Sequence, residues 1–156
     1  MIKNAILTIL IPFLYLLAIL IISTTATILG FGMIFLSILG VVLAFIGLFL
    51  WVLGFLNLGR QAFSVLPKAK ILKTGGIYKY FRHPIYLGIT LTCLGLSLSL
   101  GSKAGLFYTI LIIIPLNIIR ARKEEKILTE RFGQEYLEYK RSCGIISFMK
   151  EVMKDG

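Results

Sequence analysis

Apolar residues run along this chain in long blocks rather than in the alternating or three-four spacing of a soluble amphipathic fold. Ala5–Ile22 is unbroken except for Thr8 and Pro12, and Gly32–Leu58 contains no charge. Ile85–Leu100 and Gly105–Ile119 follow, separated only by Gly101-Ser102-Lys103-Ala104. A helix needs about 20 mostly apolar residues to cross a bilayer. The blocks predict four transmembrane helices, the last two a tight hairpin. The expected fold is therefore an all-α integral membrane protein with cytoplasmic C-terminal helices. Gly40, Gly47 and Gly54 recur every seven residues and place small residues along one stripe of the second span, a seam against which another helix can pack closely. No small-residue cleavage pattern follows the first block at a signal-peptide distance, so it reads as a retained span, with Ser23–Thr27 a polar loop in the uncharged connection Ser23–Phe31.

Charge sets the orientation. Sixteen of the seventeen Lys and Arg residues lie before the first span, between the second and third, or after the fourth; Lys103 alone sits in the third-to-fourth turn. The positive-inside rule then puts both termini in the cytoplasm. A single domain over 1–156 is expected: two spans in 1–59, a cytoplasmic loop over 60–84, the hairpin over 85–119 and a cytoplasmic helical tail over 120–156. The formal charge of +10 becomes a topology signal and a contact with anionic lipid, not a nucleic-acid footprint. Cys93 falls in a span and Cys143 in the tail, so no disulfide is expected. One His and no Cys-x-x-Cys spacing argue against a metal site. Mean hydropathy of 0.92 agrees with a membrane protein.

All seven acids lie between Glu124 and Asp155. Spans without a carboxylate argue against a proton- or cation-coupled transporter. Two cytoplasmic stretches are left to carry chemistry. In the first, Arg60–Pro84, Phe63, Val65, Leu66, Ile71 and Leu72 lie among Lys and Arg, as on a lipid surface. Gly75-Gly76 supplies a turn tolerant of positive φ. Pro84 suits the first turn of the third span and holds Arg82 and His83 at a helix start that favours an anion. In the second, Ile119–Arg131 reads as a helix leaving the membrane and capped by Gly133, with Gln134–Arg141 a second short helix. Asn117, Arg120 and Glu124 share a face, and Glu125 lies about 100° round from Glu124. The hairpin should make Arg82-His83 and Glu124-Glu125 neighbours.

GIYKYFRHPIYLG, followed after the hairpin by EEKILTERFGQEYLEYK, closely resembles the isoprenylcysteine carboxyl methyltransferase and phospholipid methyltransferase superfamily of integral-membrane enzymes. The similarity runs from about residue 55, at LGRQAFSV, to residue 144. It implies S-adenosylmethionine as cofactor, S-adenosylhomocysteine as product, no metal, and a cytoplasm-facing pocket. On this chain the implied cofactor-binding positions are Gly76, Tyr78, Arg82, His83, Pro84, Tyr86, Gly88, Glu124 and Glu125. A basic helix start suits the cofactor's carboxylate, carboxylates suit its ribose hydroxyls or ammonium, and Tyr78 and Tyr86 offer aromatic surface for adenine or sulfonium. Arg120 is the candidate cation to orient an acceptor, Glu124 the proton acceptor should that acceptor be an amine, and Asn117 an orienting group. The implied substrate is a lipophilic small molecule or lipid, methylated on carboxylate oxygen or another O, N or S atom. The expected setting is a prokaryotic cell membrane, with membrane lipids as the other partners. The Gly-x-Gly at Gly30-Phe31-Gly32 lies between apolar runs and lacks the strand context of a soluble methyltransferase. The rival reading is a non-catalytic lipid-binding scaffold.

Overall fold

The computed structural model describes residues 2–27, 34–59 and 71–143, with side chains from Leu10 onward. The expectations for Phe63, Val65 and Leu66, the Gly30-Phe31-Gly32 stretch and the tail beyond Cys143 lie outside the described residues. Among the described residues every regular element is helical: α1 (Ile2–Thr24), α2 (Ile34–Leu58), a 3₁₀ turn (Gly76–Lys79), α3 (Pro84–Ser99), α4 (Lys103–Tyr108), a π turn (Thr109–Ile113), α5 (Ile114–Phe132) and α6 (Gln134–Ser142). Among the described residues two helices are long and apolar enough to cross a membrane, α2 and the continuous run Lys103–Phe132; Leu10–Thr24 of α1 and α3 are shorter apolar helices. Only 17% of the most apolar window of α2 is buried. Phe35, Phe45 and Leu56 are 71%, 68% and 67% exposed. A soluble core helix hides such side chains, whereas lipid accepts them.

The chain forms two compact units. The first comprises Met1–Phe49 and Gly88–Ile118. Ala18, Ile22, Cys93 and Ile113 form its core, with Tyr15, Ile89, Leu96 and Tyr108 packed against them. The glycine stripe is a seam between α2 and α3. A Cβ on Gly40 would lie 2.7 Å from the Gly95 carbonyl oxygen, and one on Gly47 2.7 Å from that of Gly88. Buried hydroxyls are satisfied locally: Ser97 donates to Cys93 O at 2.7 Å and Thr109 to Gly105 O at 2.8 Å. Such back-bonding lets a hydroxyl sit in an apolar helix without an orphaned group. Gly101 turns the chain at φ +64°, and the Ser102 hydroxyl caps α4 by accepting from Gly105 N–H at 2.9 Å.

Two local readings change. Ser23 and Thr24 belong to α1 rather than to a polar connection, because their hydroxyls bond back to the Leu20 carbonyl at 3.0 and 2.8 Å. The fourth apolar block is not uniformly α-helical: Thr109–Ile113 widens into a π turn.

The second unit comprises Leu50–Leu87 and Ile119–Gly156. Its core is Leu72, Tyr136 and Tyr139, backed by Leu128, Phe132 and Cys143. Ile71, expected beside Leu72 at a lipid surface, is 65% exposed while Leu72 is buried. Gly133, at φ +54°, ends α5 and donates its N–H to Thr129 O at 2.9 Å. Gly76 adopts φ +61°, and a Cβ there would fall on the Asn57 side-chain oxygen. Gly76→Ala is therefore expected to destabilise the protein by about 1–2 kcal/mol, the left-handed penalty with an overlap added. Thermal unfolding in detergent checks this; an unchanged midpoint contradicts it.

Candidate functional site

The site begins at a helix start. Pro84 has no N–H, so it opens α3 without losing a hydrogen bond, and its ring is buried against the position of Gly54. The His83 carbonyl receives the Leu87 N–H at 3.1 Å. His83 is thereby fixed just ahead of the first turn, with Arg82 before it and Tyr86 within the turn.

The acids come from α5, beyond its apolar part, which ends at Ile119. Consecutive helical positions point about 100° apart, so the two carboxylates meet different partners. Glu124 accepts the Tyr86 hydroxyl, and His83 Nδ1 lies 3.8 Å from its Oε2. Glu125 Oε1 lies 3.3 Å from both Arg82 Nη1 and His83 Nε2, and its Oε2 takes Lys140 Nζ at 2.6 Å. A carboxylate accepts only, so in the His83–Glu125 bond the ring nitrogen donates. The His83 and Tyr86 rings stack at 5.8 Å, and the Arg120 guanidinium sits 4.8 Å from the Tyr86 ring centre.

Burial pushes the Glu124 carboxyl above the usual carboxylate range, opposed by the Tyr86 hydrogen bond and the nearby His83 and Arg120. Burial also pushes Glu125 up, but bonds from Lys140 and His83, with the Arg82 and Lys140 charges, outweigh it and hold Glu125 low. The signs are opposite. Ionised Glu124 weighs against the folded state near neutral pH, a burden that lifts as pH falls toward its raised value. Glu125 supports the fold above the ordinary carboxylate range and loses that support as pH falls through its lowered value. Glu124→Gln keeps an acceptor for Tyr86. It is expected to raise the ligand-free melting temperature at neutral pH, with the gain shrinking under mild acid. Equal melting curves at neutral pH contradict that.

Several residues implied by the resemblance have other duties. Tyr78 is buried, and its hydroxyl donates to Gly54 O at 3.4 Å. Its carbonyl accepts from the Tyr139 hydroxyl at 2.8 Å and Cys143 Sγ at 3.1 Å. Burial raises the Tyr78 phenol well above its ordinary value. Asn117 belongs to the first unit, where its Oδ1 accepts the Tyr15 hydroxyl at 2.5 Å and its Nδ2 donates to Thr90 at 3.0 Å. Gly88 also belongs to that unit, in the seam with Gly47. Gly76 holds the turn ahead of Tyr78. Lys140 was not foreseen. Nothing in the sequence separates it from the other tail lysines, apart from lying at i,i+4 from a motif tyrosine on a helix. Among the described residues no group of three or more His, Cys, Asp or Glu is placed to hold a metal ion.

Comparison with known proteins adds a second line. Residues 35–135 match the family model described as phospholipid methyltransferase. The Saccharomyces cerevisiae protein-S-isoprenylcysteine O-methyltransferase is 32% identical over 114 residues, covering 70% of this chain and 47% of that protein. Its Schizosaccharomyces pombe counterpart is 32% identical over 105 residues, 57% of this chain and 44% of that protein. The Homo sapiens enzyme of the same name is 36% identical over 86 residues, 54% and 30% respectively. The chain thus spans less than half the length of these curated relatives. No solved structure matches.

Proposed function

The chain belongs to the phospholipid methyltransferase family, and from that premise we propose that it is a membrane methyltransferase using S-adenosylmethionine to methylate a lipophilic acceptor. The acceptor favoured is a carboxylate of the S-prenylcysteine kind, which the names of the relatives carry. The observation behind this reading is the meeting of Arg82 and His83 with Glu124 and Glu125 at one helix start.

The donor set suits an adenosyl amino acid. A cation at a helix start complements a carboxylate, and two carboxylates with different protonation tendencies complement an ammonium or ribose hydroxyls. Arg82, His83, Glu124 and Glu125 are proposed to hold the cofactor, with the Tyr86 ring as aromatic surface. Pro84, Gly76 and Tyr78 are proposed to shape the wall behind them, and Gly88 to allow close helix packing. When bound, S-adenosylmethionine supplies a methyl group already activated by its sulfonium. The protein is left with positioning and exclusion of water. Arg120 orients the acceptor carboxylate, which needs no base because it is already ionised. Glu124, hydrogen-bonded to Tyr86, takes a proton only where the acceptor is an amine. Asn117 remains proposed as an orienting group for the acceptor, and within the first unit Tyr15 and Thr90 fix the orientation of its amide.

We further propose four spans with both termini cytoplasmic, which puts this cluster at the inner leaflet where a lipid-borne acceptor is presented. Incubation with methyl-labelled S-adenosylmethionine and an S-farnesylated cysteine carrying a free carboxylate tests the activity. The expected product is a base-labile methyl ester. Incorporation into neither that compound nor a lipid extract contradicts it.

A further inference from the structure

Tyr136 heads the fully buried side chains by size, at 1% exposure, yet its hydroxyl has no hydrogen-bond partner among the described residues. Leaving a buried hydroxyl unpaired carries the full cost of its desolvation, and buried tyrosines ordinarily find a partner for the O–H. Tyr139, in the same cluster with its ring 6.0 Å away, obeys that rule through its bond to Tyr78 O. Phenylalanine would fill the Tyr136 position without the penalty.

The position of the hydroxyl indicates its use. Tyr136 and Lys140 are four apart on α6 and share a face, and Lys140 Nζ reaches Glu125 at 2.6 Å. On α5, Leu128 and Phe132 pack against the Tyr136 cluster, three and seven positions beyond Glu125. Tyr136 thus packs on the face of α5 that carries Glu125, the carboxylate that gathers Arg82, His83 and Lys140. Burial, reinforced by the Glu125 charge and opposed by that of Arg82, pushes its phenol up to about 12, so it remains a donor.

We propose that the Tyr136 hydroxyl donates a hydrogen bond to the carboxylate of the amino-acid end of the methyl donor, with Arg82 as the cation beside it. This rests on the methyltransferase reading above. A neutral donor flanked by an arginine and a glutamate matches a zwitterion; the neutral adenine would leave both charges unmatched.

Tyr136→Phe tests it by calorimetry in detergent with two ligands, S-adenosylmethionine and its decarboxylated analogue, which lacks only the carboxylate. The variant is expected to bind S-adenosylmethionine roughly 10-fold more weakly, to bind the decarboxylated compound as wild type does, and to melt higher when ligand-free. Unchanged affinity for S-adenosylmethionine overturns the proposal. So does an equal loss for both ligands, or a lower melting temperature with unchanged affinities, which marks a structural bond. If wild type binds S-adenosylmethionine and Tyr136→Phe matches it, only this inference fails. If wild type binds neither ligand, the methyltransferase reading fails with it.

Discussion

Glu125→Ala is expected to weaken S-adenosylhomocysteine binding by about 100-fold or more, roughly 3 kcal/mol. Glu125 is the shared acceptor of Arg82, His83 and Lys140, and its side chain is only 20% exposed. Removing it takes away the carboxylate proposed to meet the ligand and releases the three groups whose positions it fixes. His83→Ala removes one partner of each acid and is expected to act in the same direction. Calorimetry in detergent reads both effects. Glu130→Ala is the control: Glu130 lies on the same helix, 65% exposed, and pairs with Lys126 at 3.9 Å. An exposed pair of that kind contributes little, so affinity should not move. A Glu125→Ala protein that binds like wild type would remove this carboxylate from the site.

The second large effect is expected at the helix seam. A Cβ on Gly95 would overlap the Ala44 backbone nitrogen and approach the Gly40 carbonyl oxygen to 2.5 Å. Both are backbone atoms, so no side chain can swing aside, and the helices must separate along their contact. Gly95→Ala is expected to destabilise by about 3 kcal/mol, the upper part of the range for overpacking. Gly75→Ala is the matched control, since its φ is −93° and a Cβ there meets nothing within 4 Å. Thermal unfolding of the detergent-solubilised variants measures the difference. Equal midpoints would mean that the seam carries no close approach.

These two effects differ in how far the sequence reveals them. Gly40 and Gly47 stand seven apart on an apolar stretch, which announces a close helix contact. Gly88 and Gly95, on the other side of the seam, also stand seven apart in an apolar run, but that the two stripes face each other is visible only in the contacts. Arg82-His83-Pro84 and Glu124-Glu125 are legible because proline fixes a helix start and because acids are absent before residue 124. That they touch is a consequence of tertiary structure. The same holds for Lys140, which reaches Glu125 across 15 positions. The helical state of Ser23 and Thr24 escaped the composition for a different reason. Hydroxyl residues read as loop formers until their oxygens are seen bonding the preceding turn. The π turn at Thr109–Ile113 has no sequence mark that separates it from the α-helix around it. Tyr136 is visible as one tyrosine of a motif, but its unpaired buried hydroxyl is visible only in three dimensions.

The account stands or falls on whether the charged cluster at the start of α3 takes up the methyl donor. Direct titration of folded, detergent-solubilised wild-type protein with S-adenosylhomocysteine measures that without any assumption about the acceptor. Saturable heat with one ligand per chain is the predicted result; a flat titration from protein that still melts cooperatively would contradict it.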